Sequence, residues 1–226
     1  MKDSNNPRRH LFLLIALLAI IIFAPVLGQI RHGIVFLNVI GAAVLLSGLY
    51  AVSERKHVFF TAVILSILSI AGTAMLLAYR GPAMVIFSHA SMIFLLVFFS
   101  VAILNYVVRS GRVTSDKIYA AICAYLLIGF AWAFAYAMLD EFSPGALAAP
   151  TEVARNDYIG RVMQMRYFSF ITLATVGYGD IVPRTPGART MAILEAILGQ
   201  FYLVALIGRL VGLHIVHGAS SRPEEK

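Results

Sequence analysis

The chain has few charged residues and almost no cysteine. Only 13% of its 226 residues are charged, and Cys123 is the single cysteine, which excludes an intrachain disulfide and a cysteine-based metal site. Its histidines and acids are scattered, without a nucleophile, base or metal-binding group, so neither an enzyme nor a cofactor is expected. Hydrophobic residues make up 60% of the chain, and the mean hydropathy of +0.85 is too high for an ordinary soluble domain. The composition therefore indicates an integral membrane protein.

Six apolar runs are long enough to cross a membrane. A hydrocarbon layer of about 30 Å needs about 20 helical residues. The predicted spans are 11–28, 34–52, 58–79, 83–108, 118–139 and 190–216. Between the last two lie a polar stretch, 140–165, and an apolar run, 167–175, that is too short to cross. For the first run a cleaved signal peptide is the alternative, although Pro25 and its bulky neighbours make a poor cleavage site.

Lysine and arginine are distributed unevenly around these runs. They lie singly or in short groups, with no basic stripe beside aromatic residues, so the net charge of +7 does not indicate a nucleic-acid partner. Basic residues near membrane ends mark the cytoplasmic side. They cluster before the first run and in the second and fourth loops, at Lys2, Arg8, Arg9, Arg55, Lys56, Arg109, Arg112 and Lys117. This distribution predicts cytoplasmic N- and C-termini.

The short apolar run leads into a hexapeptide, Thr175-Val176-Gly177-Tyr178-Gly179-Asp180. Its glycines occupy alternate positions, which suits a backbone that alternates between left- and right-handed angles, because glycine reaches positive φ at the lowest cost. Such a backbone directs successive carbonyl oxygens inward, where they replace the hydration shell of K⁺ without fixed charge. The hexapeptide therefore predicts a potassium selectivity filter with Asp180 at its outer mouth.

The run before the hexapeptide fits a half-membrane helix whose carboxyl end faces the filter. The negative end of the helix dipole favours a dehydrating cation there. Irregular backbone at membrane depth is tolerated only where protein buries it or water lines it, and a re-entrant helix and loop between two spanning helices meets that condition. The predicted fold class is an all-α membrane protein with six transmembrane helices, a re-entrant pore helix and a selectivity-filter loop.

Residues 172–180, followed by Ile181, Pro183 and Arg189, resemble the pore signature of the tetrameric potassium channel superfamily. The helix layout resembles its six-transmembrane, one-pore-loop prokaryotic-type members, and the resemblance covers roughly residues 118–216. It implies a multi-pass K⁺ channel of the plasma membrane, here a prokaryotic inner membrane. One pore loop per chain cannot enclose an ion, so the resemblance also implies a homotetramer.

The resemblance further implies roles for individual residues. The implied ion ligands are Thr175, Val176, Gly177, Tyr178 and Gly179, with K⁺ bound at the first four of them. Tyr167 and Phe168 would support the filter, with Tyr178 packed among them, and Gly199 would be a gating hinge. Ala174 departs from the family pattern, in which many members carry a second threonine; that change concerns blocker binding rather than selectivity.

These parts predict a definite order along the chain. A cytoplasmic N-terminus (1–10) precedes a sensor-like bundle of four transmembrane helices without gating charges (11–109), a cytoplasmic linker (110–117), a pore domain (118–216) and a cytoplasmic tail (217–226). The pore domain is predicted to contain an outer helix (118–139), a turret (140–165), a pore helix (166–174), the filter (175–180) and an inner helix (190–216).

The fourth apolar run lacks the charges of a voltage sensor. It carries no lysine or arginine, only His89, and the first three runs carry no acidic partners. Steep gating needs several charges per subunit, since one charge moved through 100 mV is worth about 2.3 kcal/mol. Intrinsic voltage gating is therefore expected to be weak or absent. The short tail leaves no room for a nucleotide- or calcium-binding domain, so gating is expected to be intrinsic or supplied by a partner.

The lower part of the inner helix is where a gate is expected. His214 and His217 lie on one helical face, where their protonation in four subunits would cause repulsion and opening; the alternative is two histidines wetted by lipid headgroups. Arg209 is expected to reach lipid phosphate, including anionic lipid, or to form a salt bridge at the gate. Higher in the same helix, Glu195 is expected to form a structural hydrogen bond behind the filter rather than an ion site.

Two other functions stay open from the sequence alone. A K⁺ transporter subunit is one, although such proteins resemble four degenerate repeats in a single chain, whereas this chain holds one intact filter. A non-conducting or regulatory channel subunit is the other, and flux of radioactive Rb⁺ into proteoliposomes that contain this chain alone separates it from a channel.

Overall fold

The computed structural model describes residues 9–28, 30, 33–53, 56–79, 81–109, 114–149 and 158–219. The helices in these ranges are α1 (Arg9–Leu27), α2 (Gly33–Ala51), α3 (Lys56–Tyr79), α4 (Pro82–Val108), α5 (Ser115–Phe142), α6 (Tyr158–Leu173) and α7 (Pro186–Ala219). Two short strands, β1 (Leu147–Ala148) and β2 (Val182–Pro183), lie on either side of α6. The described part of the chain is therefore almost entirely helical, as predicted.

Five of the helices, α1, α3, α4, α5 and α7, are long and apolar enough to cross a membrane. The apolar part of α2, Phe36–Ala51, is shorter. All six predicted runs coincide with helices to within a few residues, because a helix satisfies its own backbone hydrogen bonds wherever side chains are apolar. That the second run crosses the whole membrane stays a prediction.

Local sequence sets two of the helix starts. Gly81 is extended and Pro82 occupies the first turn of α4, where its missing amide hydrogen costs nothing. Thr114 caps α5 by accepting a hydrogen bond from the Lys117 amide at 3.4 Å, and Asp116 lies in the first turn, near the positive end of the helix dipole. The loop between α4 and α5 is thus bounded by defined helix ends.

Helix α5 is the central element, since it packs against α1, α4, α6 and α7. Its buried alanines allow the neighbouring helices to approach closely. One core, shared with α1 and α4, includes Leu13, Leu17, Leu95, Phe99 and Leu127. A second core near the loops includes Tyr136, Leu147, Met165, Phe168 and Ile181. Through α5, the first four helices and the predicted pore region form one continuous packing unit.

The helix that precedes the hexapeptide is longer than predicted. Helix α6 begins at Tyr158, inside the predicted turret, and not at residue 166. The polar residues of its first turns find partners on α5: the Arg161 guanidinium lies 3.3 Å from a Glu141 carboxylate oxygen and 3.6 Å from one of Asp140. Helix α5 also continues to Phe142, past the predicted end of the outer helix at 139. The turret is correspondingly shorter at both ends.

The turret is joined to the segment that follows the hexapeptide. Strands β1 and β2 are antiparallel, with Leu147 opposite Pro183 and Ala148 opposite Val182. The amide of Arg184 also donates to the carbonyl of Ala146 at 2.8 Å. These bonds fix the chain immediately after Asp180, a contact that no sequence pattern predicted.

Candidate pore and selectivity filter

The backbone of residues 175–180 has a left-handed conformation at every second position. The φ angle is 56° at Thr175, 52° at Gly177 and 79° at Gly179. Glycine adopts this conformation without a side-chain clash, whereas an ordinary L-residue pays about 1–2 kcal/mol. Thr175 is the only non-glycine residue with positive φ among those described, so its surroundings must hold it there.

The last turn of α6 holds the start of this segment. The amides of Ala174 and Thr175 donate to the carbonyls of Phe170 and Thr172 at 3.0 and 2.9 Å. The next two amides, of Val176 and Gly177, both donate to the Ile171 carbonyl at 2.9 and 3.2 Å. These bonds use carbonyls that a helix end otherwise leaves unpaired. The segment is therefore built directly onto the carboxyl end of α6.

Thr175 is also contacted from α7. The side-chain amide nitrogen of Gln200 donates to the Thr175 hydroxyl oxygen at 2.8 Å. Gln200 was missed by sequence reasoning, because a single glutamine in an apolar helix has no distinctive pattern. Its position next to Gly199 is the one clue that the sequence offers.

Gly199 lies where α7 passes the carboxyl end of α6. A methyl group at Gly199 would overlap the carbonyl oxygen of Leu173, the last residue of α6. The same carbonyl accepts a hydrogen bond from the Tyr125 hydroxyl of α5 at 3.2 Å. Gly199 therefore permits a close helix crossing beside the hexapeptide. Its role as a hinge stays a prediction.

The outer end of the hexapeptide is held by α6. The Tyr167 hydroxyl donates to an Asp180 carboxylate oxygen at 2.7 Å, and the other oxygen accepts from the Ile181 amide at 3.0 Å. The hydrogen bond to Asp180 raises the pKa of the Tyr167 phenol above its usual value. Phe168 instead faces α5, where its ring packs edge-on against the Tyr136 ring with the two ring centroids 4.9 Å apart. Of the two aromatic residues predicted to support the filter, Tyr167 contacts the hexapeptide directly and Phe168 anchors α6.

Two large side chains of the hexapeptide remain outside the core of the single chain. Val176 is 52% exposed and Tyr178 is 72% exposed. The expected packing of Tyr178 among Tyr167 and Phe168 is thus largely absent within one chain, because Phe168 is buried against α5.

In the second half of α7, Arg209 contacts the end of α4. Its guanidinium donates to the backbone carbonyl of Val108, the last residue of α4. A cation is favourable at a helix carboxyl terminus. His214 and His217 lie on α7, but their side chains are outside the described part of the structure. The predicted pairing of these histidines therefore stays a prediction.

Comparison with known proteins identifies the region that contains this site. Residues 120–213 match the family model described as "Ion channel". The potassium channel protein kcv of Paramecium bursaria Chlorella virus 1 is 32% identical over 71 residues, which are 31% of this chain and 76% of the viral protein. Protein LctB of Bacillus caldotenax is 28% identical over 44% of this chain and 74% of that protein.

A third relative, the inward rectifier potassium channel Kirbac3.1 of Paramagnetospirillum magnetotacticum, is 32% identical over 34% of this chain and 24% of that protein. No solved structure matches the chain. The matched region holds most of α5, all of α6, the hexapeptide and most of α7, and the relatives named for an activity are potassium channels rather than enzymes. The chain therefore belongs to the potassium channel family.

Proposed function

We propose that the chain forms a K⁺-selective pore in which the hexapeptide is the selectivity filter. The main support for this proposal is the positive φ at every second residue, Thr175, Gly177 and Gly179, in a segment that is hydrogen-bonded to the end of α6. Such a backbone presents successive oxygen atoms to a dehydrated ion. The ion ligands in this proposal are Thr175, Val176, Gly177, Tyr178 and Gly179, with K⁺ at the first four and Asp180 at the outer mouth.

Helix α6 supplies the electrostatic setting of the filter. It ends at Leu173, immediately before the hexapeptide, and it is not among the helices long enough to cross a membrane. The negative end of its dipole therefore lies beside the innermost ion position. Gln200 and Tyr167 hold the two ends of the filter through Thr175 and Asp180.

A homotetramer completes the pore in this proposal, because one hexapeptide cannot surround an ion. The exposure of Val176 and Tyr178 supports it, since a neighbouring subunit would cover both side chains. Helix α7 also exposes large apolar side chains beside the site, including Ile193, Leu194, Ile197, Phe201 and Val204. Lipid and other subunits share this surface in a tetramer.

The gate in this proposal lies in the lower half of α7, with Gly199 as its hinge. Arg209 lies beside the end of α4, where an anionic lipid headgroup is its proposed partner in addition to the Val108 carbonyl. His214 and His217 follow on the cytoplasmic side and give the gate a pH response. The protein lies in a prokaryotic plasma membrane with both termini cytoplasmic, and it is not steeply voltage-gated.

Single-channel recording in asymmetric K⁺ and Na⁺ tests the proposed function. The purified chain alone, reconstituted in a bilayer, is expected to pass current that reverses near the K⁺ equilibrium potential. Reversal near the Na⁺ equilibrium potential would overturn the proposal. A folded assembly without current, and without uptake of radioactive Rb⁺ into proteoliposomes, would favour a regulatory subunit instead. Gly177→Ala is the matched loss-of-function control, because alanine is strained at the positive φ of this position.

A further inference from the structure

A carboxylic acid is buried where three pore helices meet. Glu195 of α7 is fully buried, as are its two partners, Tyr136 of α5 and Ser169 of α6. One carboxyl oxygen, Oε2, accepts a hydrogen bond from the Tyr136 hydroxyl at 2.7 Å. The other, Oε1, lies 2.5 Å from the Ser169 hydroxyl oxygen. Among the described residues, no ion pair includes Glu195.

Counting hydrogens assigns the charge of this carboxyl group. The Ser169 hydroxyl oxygen also lies 2.8 Å from the backbone carbonyl of Gly129, which can only accept. A serine hydroxyl has one hydrogen, and the contact between Ser169 and Gly129 needs it, because a backbone carbonyl has no hydrogen to give. The 2.5 Å contact between Ser169 and Glu195 then needs a hydrogen from the carboxyl group itself. A neutral acid satisfies every group: it donates to Ser169 and accepts from Tyr136.

Burial favours the same assignment. An ionised carboxylate without a cationic partner is very costly in an apolar interior, whereas a fully hydrogen-bonded neutral acid is not. The titratable group in direct contact with Glu195 is the Tyr136 phenol on α5, and it is a donor in this arrangement. On α6 the contact is made by Ser169, which carries no charge. Both carboxyl oxygens are hydrogen-bonded and the residue is fully buried, so Glu195 does not face a water-filled ion path within this chain.

We propose that Glu195, held as a neutral acid, is a positioning residue for the selectivity filter. Ser169 lies about one helical turn before Leu173, the last residue of α6, after which the chain enters the hexapeptide. The bond between Glu195 and Ser169 connects α7 to the last turns of α6, and the bond between Glu195 and Tyr136 connects α7 to α5. The filter thereby keeps a fixed height and rotation relative to both helices. This inference rests on the proposed function of the hexapeptide.

Variants of Glu195 separate positioning from simple packing. Glu195→Gln keeps the shape and can donate to Ser169 and accept from Tyr136 as the neutral acid does. Glu195→Ala and Ser169→Ala remove the junction. We expect the K⁺/Na⁺ permeability ratio to fall about tenfold in both alanine variants, because each leaves a buried polar group unsatisfied. The Glu195→Gln variant is expected to keep the wild-type K⁺/Na⁺ permeability ratio.

Ser100→Ala is the matched control for Ser169→Ala. Ser100 is also a buried serine, but its hydroxyl donates to the Leu96 carbonyl of its own helix at 2.7 Å, and within the described ranges it bonds to no other helix. Its removal is expected to leave the permeability ratio unchanged. Infrared difference spectra of wild type minus Glu195→Gln are expected to show the carbonyl band of a protonated carboxylic acid at neutral pH.

The outcomes distinguish this inference from the proposed function. Wild-type channels that do not select K⁺ would refute the proposed function itself. Selective wild-type channels with an unchanged ratio in Glu195→Ala would refute positioning by Glu195. Carboxylate bands in the infrared spectrum, or a Glu195→Gln variant as impaired as Glu195→Ala, would refute the neutral acid. Where the alanine variants do not assemble, Tyr136→Phe removes a single hydrogen bond, and an unchanged ratio in that variant would equally refute the inference.

Discussion

The imidazole Nδ1 of His10 lies 2.7 Å from the Asp116 carboxylate, although the two residues are 106 positions apart. Asp116 also accepts the backbone amide of His10 at 3.1 Å and the Tyr106 hydroxyl at 3.0 Å. Both His10 and Asp116 are buried. The start of α1 is thus bonded to the start of α5, most of which lies in the matched channel region, so that α1 and α5 share a polar junction as well as a core.

This junction is expected to contribute measurably to stability. His10→Ala and Asp116→Ala each remove one partner of the buried pair, and the double variant is expected to lose less than the sum of the two. A coupling free energy of about 1.5–3 kcal/mol is expected for a hydrogen bond to a charged group. Denaturant unfolding in detergent measures it. His57→Ala, at an exposed site, is the control and is expected to change stability by at most about 0.5 kcal/mol. Strict additivity would contradict the prediction.

Two glycines of α7 are expected to respond oppositely to alanine. At Gly199 a methyl group would overlap the Leu173 carbonyl, so Gly199→Ala should destabilise the fold by about 1–3 kcal/mol. At Gly208 nothing lies within 4 Å of the added methyl, and alanine should stabilise the helix by about 0.5–1 kcal/mol. Thermal melts of both variants test this contrast. A Gly199→Ala variant with wild-type stability and altered open probability would instead support a hinge alone.

The hydrogen bond between Tyr167 and Asp180 is expected to stabilise the outer end of the filter. Tyr167→Phe removes only the hydroxyl, and the conducting state should be destabilised because the Asp180 carboxylate loses its donor. Shorter openings at unchanged K⁺ selectivity are the expected result in single-channel records. Tyr79→Phe, at an exposed tyrosine distant in sequence, provides the comparison. Equal open times in all three proteins would exclude a role for this bond.

Voltage steps on reconstituted channels are expected to change the open probability only weakly. Helix α4 carries no lysine or arginine, and its one titratable histidine, His89, is buried with its Nδ1 bonded to the Val85 carbonyl at 2.6 Å. Moving one charge through 100 mV supplies about 2.3 kcal/mol, and α4 offers no such charge to move. A steep sigmoidal opening curve, equivalent to several elementary charges, would show that a sensor exists elsewhere.

Cytoplasmic acidification is expected to open the channel through His214 and His217. Protonated histidines in four subunits repel one another, so the open probability should rise as pH falls through the usual histidine range near 6.5. The His214→Ala/His217→Ala double variant should lose this response, and His57→Ala should keep it. An unchanged pH response in the double variant would remove these histidines from the gate.

The helices were predictable from the chain, but their polar junctions were not. Apolar runs predicted the helices because a spanning helix needs little beyond length and apolar side chains. The start of α6 at Tyr158 escaped prediction, because Arg161 suits a helix there only through Asp140 and Glu141. Local periodicity carries no information about such partners.

The candidate site shows the same contrast between features that a residue's own preference sets and features that depend on distant contacts. Positive φ at Gly177 and Gly179 was expected from glycine itself, whereas the same conformation at Thr175 depends on bonds to α6 and Gln200. The expected hydrogen bonding of Glu195 is confirmed, but its partners, 26 and 59 residues away, could be named only from the structure.

The exposure of Tyr178 has a consequence for how such a protein is made. If residues 175–180 are the filter, as proposed, a newly synthesised subunit carries it on an open flank, where Tyr178 is 72% exposed, and a single copy encloses no ion path. Insertion into the membrane therefore creates no leak. In the proposed tetramer a conduit for K⁺ arises only when further copies cover that flank, so unassembled subunits would not dissipate the ion gradient of the cell.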